Sequence, residues 1–255
     1  MAHSLDISTP LLDRLERNPH EPVHGKIGGV AFTAEIGIPN YKDKINAYFS
    51  GDSARKVDEL TDFFEIPFAF THFGLIVHFE QSIEIGVHDD ALHLDAPLRA
   101  MIARFGPVII RNAYSSSETR NEVQKNIFQN LRFHYDRGRS MENQYSLYTR
   151  NPFDDAQKKP RNTSTLFLAN IVAHMQCMKE EGCKSPDEKG VRANYDIFLN
   201  ANMEDALGTI ILNQPWSAPD GTGEIAIIDN LTVLHSSWHR VGGEKCYPIG
   251  TRYLF

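Results

Sequence analysis

The chain has 255 residues, is 41% hydrophobic and 23% charged, and carries a formal net charge of -7 with a pI near 5.9. That is the make-up of an ordinary globular protein, long enough for one large core and within the range where all-β sandwiches stay single. The acidic balance and the lack of a basic stripe exclude nucleic acid and an anionic membrane surface as partners, and no apolar run reaches membrane-spanning length.

The opening segment MAHSLDISTPLL has no basic region followed by an apolar core, so no secretory signal is expected. Residues 1–50 are punctuated by Pro10, Pro19, Pro22, Gly25, Gly28, Gly29, Gly37 and Pro39, which predicts irregular structure with short strands. In residues 53–64, Val57, Leu60, Phe63 and Phe64 recur at helical spacing behind a serine cap. A second helix is expected behind Asp95 as N-cap, with Pro97 in its first turn, Leu98, Met101, Ile102 and Phe105 as its apolar stripe, and Gly106 as its stop. Pro107 to Arg111 is a β-branched run that predicts a buried strand.

A polar helical segment follows over 116–131, and from there strand-like runs dominate at 145–150, 165–169, 209–212, 224–228 and 251–255. Between them, 171–179 reads as helical and 182–190 as turn-rich. Helices first and then many short strands predict a mainly β fold with helical cover (α+β) around a double-stranded jelly-roll core. A single domain over 1–255 is expected, with 1–105 as irregular and helical cover and 106–255 as the jelly-roll catalytic core. Cys177, Cys183 and Cys246 lack paired-ligand spacing and read as reduced thiols of a cytoplasmic protein.

The pattern His-x-Asp occurs three times, at His88-Asp89-Asp90, His93-Leu94-Asp95 and His134-Tyr135-Asp136. The first two lie in a polar connection before a helix, and Asp95 already has a capping job. The third lies in Leu131-Arg132-Phe133-His134-Tyr135-Asp136, where apolar and polar residues alternate. In an extended segment residues i and i+2 face the same way, so His134 and Asp136 aim together into one cavity. For a third ligand, His235 and His239 compete. The turn at Asp229-Asn230 followed by Leu231 to His235 predicts a strand that delivers His235 at its end, whereas His239 falls in a more polar stretch. Two imidazoles and one carboxylate on one face of a metal are the donor set of non-heme Fe(II) oxygenases.

On these residues the segment from Gly106 onward resembles the Fe(II)/2-oxoglutarate-dependent dioxygenases of the taurine dioxygenase-like group. In that group the His-x-Asp pair ends a core strand and a threonine opens a later one. The distal histidine comes five residues after the asparagine of an Asp-Asn turn, and an arginine lies on the last core strand. Here these fall on His134 and Asp136, on Thr165 in Ser164-Thr165-Leu166-Phe167, on His235 after Asn230, and on Arg252 in Thr251-Arg252-Tyr253-Leu254. The first hundred residues carry no matching motif.

The resemblance implies Fe(II) held by His134, Asp136 and His235, with 2-oxoglutarate as cosubstrate and O2 as oxidant. The far carboxylate of 2-oxoglutarate would pair with the planar guanidinium of Arg252, helped by the Thr165 hydroxyl. It implies oxidation of an aliphatic C–H bond of a small polar or anionic metabolite, with release of succinate and CO2. Hydroxylation leads; desaturation and related outcomes stay open. Asn112, Tyr135, Arg137, Arg150, Trp238 and Arg240 are candidate substrate-lining residues, and the polar run 137–143 is a candidate lid. A small molecule is the expected partner, and a homo-oligomer is compatible with the sequence. The alternatives are a cupin-like metalloenzyme that does not use 2-oxoglutarate and a non-catalytic metal- or ligand-binding jelly roll.

Overall fold

The computed structural model describes residues 2–49, 70–89, 93–115, 133–134, 136, 144–150, 163–172, 209–216, 222–239 and 250–255. The helices expected at 53–64 and 116–131, most of the one at 171–179, and the turns at 182–190 lie outside the described residues. In chain order the elements are β1 (His3–Ser4), α1 (Thr9–Arg17), β2 (Val23–Ile27), β3 (Val30–Ile38), α2 (Tyr41–Tyr48), β4 (Phe73–Gly86) and α3 (Ala96–Phe105). They continue with β5 (Val108–Tyr114), β6 (Tyr145–Arg150), β7 (Thr163–Ala169), β8 (Leu212–Pro215), β9 (Glu224–Asp229), β10 (Val233–His239) and β11 (Gly250–Leu254).

The strands form two sheets. The larger runs β11-β6-β9-β5-β4-β3-β2, with β1 beside β4, and the smaller runs β10-β7-β8. Only the β1–β4 and β4–β5 pairings are parallel among the described strands. Alternation along the strands sets the layers. Val108, Ile110, Ile225, Ile227 and Leu147 of the larger sheet share one core with Leu98, Met101, Ile102 and Phe105 of α3. The intervening residues Ile109, Ala226, Ile228 and Tyr148 share a second core with Phe167, Leu212 and Val233 of the smaller sheet. The result is helix over sheet over sheet, and the space between the sheets is where the polar residues discussed below collect.

Residues 1–50 are more regular than their prolines and glycines suggest. Pro10 sits in the first turn of α1, where a helix tolerates it, and that helix buries Leu12 and Leu15. Gly28 and Gly29 take φ of 55° and 83°, the positive values a two-residue type I′ turn needs, and so join β2 to β3 as a hairpin. β4 was not foreseen because its register shifts between His78 and Ile83, which breaks strict alternation. Asp95 does precede α3, but its side chain makes no capping bond there. Instead its Oδ2 accepts a hydrogen bond from Ser4 Oγ at 2.6 Å. The strand expected over 209–212 begins only at Leu212, because Thr209 and Ile210 form a turn.

Candidate metal centre

The centre begins as a backbone pairing. His134 and His235 form an isolated antiparallel bridge, each N–H donating to the other's carbonyl at 2.9 Å. Directly opposed residues of such a pair carry their side chains on the same face, so β10 and the segment around His134 present both imidazoles together. Their ring centroids are 4.3 Å apart. Asp136 follows two residues on and closes the group, with Oδ1 3.4 Å from His134 Nε2 and Oδ2 3.5 Å from His235 Nε2.

The Asp229-Asn230 turn holds this arrangement in place. Asp229 Oδ1 accepts the Leu231 N–H at 2.7 Å, an Asx turn that launches β10. Asn230 Oδ1 accepts the Asp136 N–H at 3.1 Å, while its Nδ2 donates to Ser146 Oγ of β6 at 2.8 Å. One buried amide thus ties the carboxylate's backbone to the larger sheet. The sequence marks this Asn as part of a motif; its positioning role emerges only with the fold.

The donor set fits a divalent metal. Metal–nitrogen and metal–oxygen bonds of about 2.0–2.2 Å place adjacent donors of an octahedral ion about 3 Å apart. The side chains of His134, Asp136 and His235 each offer one donor atom, and these atoms all lie within 4.8 Å of one another. Electrostatics favour the same role. Burial pushes the Asp136 carboxyl up, but the charge of His235 and hydrogen bonds to both imidazoles outweigh it and hold the group well below the usual carboxylate range. Burial pulls His235 below its ordinary value, opposed in part by Asp136. A carboxylate held in its ionised form, and an imidazole whose charged form burial disfavours, both lean toward the protonation states a metal requires.

Among the described residues, the other histidine motifs do not converge in this way. His88 pairs with Leu94 in a separate bridge, Asp89 forms an ion pair with Arg99 at 3.6 Å, and Asp95 is held by Ser4. His239 lies on β10 opposite Thr163, four residues beyond His235.

The remaining expected site residues are scattered. Thr165 is buried on β7, two positions from Phe167, the residue paired with His235, and so shares a sheet face with that histidine. Its Oγ1 accepts a hydrogen bond from Trp216 Nε1 at 2.9 Å. Arg252 occupies the β11 position opposite Leu147 on an edge of the larger sheet. Arg150 is buried on β6, two residues beyond Tyr148, and pairs with Glu224 at 3.6 Å. Asn112 takes a left-handed φ of 56°, and its Nδ2 donates to the Phe79 carbonyl at 2.7 Å, so its amide serves the β4–β5 irregularity. Trp238 lies on β10 opposite Ser164, while Tyr135, Arg137 and Arg240 lie outside the described residues.

Two features escaped the sequence. Tyr148 Oη lies 2.9 Å from His235 Nε2 and 3.1 Å from Asp136 Oδ2. Arg111, Glu224 and Arg150 stand in register across β5, β9 and β6, and Arg111 Nη2 donates across the sheets to Gln214 Oε1 at 2.9 Å. Both depend on pairings between distant strands, which no local pattern announces.

No protein-family model and no curated protein matches this chain. Among solved structures it is similar to PvcB, an Fe, alpha-ketoglutarate dependent oxygenase from an isonitrile synthetic pathway, at 14% identity and TM-score 0.37 over 71% of this chain and 85% of that one. It is also similar to AAD-2, solved in complex with Mn(II) and N-oxalylglycine, at 10% identity and TM-score 0.38 over 72% of this chain and 94% of the other. A taurine dioxygenase from Burkholderia xenovorans is similar at 13% identity and TM-score 0.33, over 73% and 94% of the two chains.

Proposed function

We propose that this chain is an Fe(II)/2-oxoglutarate-dependent oxygenase of the taurine dioxygenase-like group on a jelly-roll core, and that it hydroxylates an aliphatic C–H of a small polar or anionic metabolite. The observation that carries this reading is the meeting of His134, Asp136 and His235, whose donor atoms lie within 4.8 Å of one another. The ordered motif set from His134 to Arg252 supports the same reading. The bound iron and its keto-acid cosubstrate supply the oxygen chemistry, with succinate and CO2 as coproducts.

The chain's own residues bind, orient and exclude water. His134, Asp136 and His235 form one face of donors, and Asp136 brings the only negative charge among them, leaving net positive charge to attract an anionic chelator. The Thr165 hydroxyl is assigned to the far carboxylate of 2-oxoglutarate, for which a forked guanidinium is the matching partner. Arg252, the cation expected there, stands opposite Leu147 on the α3 side of the larger sheet and is left out of that assignment. Arg150 is buried on the same strand alternation as Tyr148 and ion-paired with Glu224. It belongs to the row Arg111-Glu224-Arg150, whose one net positive charge on the inner face suits an anionic substrate group. Tyr135, Arg137, Trp238 and Arg240 are proposed to line the mouth, whereas Asn112 shapes the strand beside it through Phe79. Ile228, Phe167 and Val233 supply apolar walls beside the polar groups between the sheets. All metal donors fall within 106–255, and the strands of 1–105 extend the larger sheet of what we read as a single domain.

The test is anaerobic addition of Fe(II) and then 2-oxoglutarate. The expected result is a visible metal-to-ligand charge-transfer band from the bidentate chelate, followed in air by succinate release that a screen of anionic metabolites stimulates. Folded protein that holds iron but gives no such band overturns the reading.

A further inference from the structure

We propose that Tyr148 is a fourth protein ligand of the resting metal, its phenol oxygen taking a vertex beside His235 and Asp136. This rests on the metal centre described above and adds a donor that neither the motif set nor the three-residue group contains.

The argument is one of spacing. On an octahedral ion with bonds of about 2.1 Å, adjacent donor atoms stand about 3 Å apart. Tyr148 Oη lies 2.9 Å from His235 Nε2 and 3.1 Å from Asp136 Oδ2. Those separations are closer to the octahedral edge than the 3.4 and 3.5 Å that relate Asp136 to the two imidazoles. An ion drawn in among the three accepted donors therefore meets the phenol oxygen at the same time.

The side chain is held for this role. Tyr148 is buried on β6, between β9 and β11, and its ring lies against that of His235 with centroids 5.1 Å apart. A hard oxygen donor also suits iron chemically. Ligation as phenolate releases the hydroxyl proton to solvent. With four protein donors the ion keeps two free vertices, enough for a bidentate keto acid. Any further ligand then has to displace the phenol oxygen, so Tyr148 withholds the third vertex until the substrate complex assembles.

The experiment loads the full chain with Fe(III) without keto acid and records visible absorption and resonance Raman spectra. Phenolate bound to Fe(III) gives an intense visible charge-transfer band with enhanced tyrosine ring modes. We expect both in the wild type and in Tyr145→Phe, a tyrosine on the same strand facing the other core, and neither in Tyr148→Phe. The latter variant should also bind Fe(II) about tenfold more weakly, a loss typical of altered metal surroundings. One iron per chain with no such band in the wild type overturns the proposal, as does a band that survives in Tyr148→Phe. The wild-type spectrum decides even if the variant does not fold. Failure of the underlying metal centre has its own signature, because the wild type would then bind no stoichiometric iron.

Discussion

At the scale of single residues, Asp136 sets the electrostatics and the two histidines set the geometry. The carboxylate stays ionised because the imidazoles beside it outweigh the cost of its burial, and burial disfavours the charged form of His235. Removing either imidazole leaves two protein donors from the motif and a carboxylate without its partner. We expect His134→Ala and His235→Ala each to weaken Fe(II) binding more than about tenfold, while His239→Ala leaves it unchanged, as read by equilibrium titration with a competing chelator. Equal affinity in all three variants would mean that the wrong histidines have been chosen. The choice among three His-x-Asp sequences was legible because local context differs: an alternating apolar frame around His134, polar connections around His88 and His93. Tyr148 was not legible. Its neighbours in sequence say only that it lies on a strand, and its partners come from residues 136 and 235.

At the scale of elements, period-two alternation carried most of the information. β5 and β9 lie where β-branched runs put them, since their apolar residues are buried on both faces, and β6 and β11 fall within the strand-like runs expected at 145–150 and 251–255. Signals failed where a residue had two possible jobs: Pro10 opens a helix rather than breaking a strand, and the shift in β4 hides a long strand. Gly74 shows how close the smaller sheet sits. It has φ of 83°, and a Cβ placed there would collide with the Leu212 side chain of β8, which also presses on Gly37. We expect Gly74→Ala to destabilise the fold by about 1–3 kcal/mol through strain and overpacking, measured as a lower denaturant midpoint with unchanged slope. An unaffected midpoint would show that β8 does not rest on β4.

At the scale of the whole molecule, one sheet serves two cores, and the polar row Arg111-Glu224-Arg150 crosses its inner face. Glu224 is wholly buried, stands in register between Arg111 and Arg150, and forms an ion pair with Arg150. Removing one partner of a buried pair costs about 3–5 kcal/mol, because the remaining charge is left in a poorly polarisable interior. Glu224→Leu should show a loss of that order in thermal unfolding, and Arg150→Met added to it should restore part of the loss. A single variant as stable as the wild type would mean that water reaches the row. The layered architecture was foreseeable from the order of helices and strands, whereas the contribution of β2 to β4 to the larger sheet was not, since parallel pairing of β4 with β5 leaves no hairpin signal.

The bridge between positions 134 and 235 also bears on how the protein is made. A nascent chain that has emerged only through β9 owns one imidazole and the carboxylate, with nothing to complete the ring of donors. On the proposed assignment, loading with metal therefore waits until β10 has been synthesised and has zipped against β7. Cofactor capture is then a late checkpoint in biosynthesis, available to finished chains and denied to truncated ones.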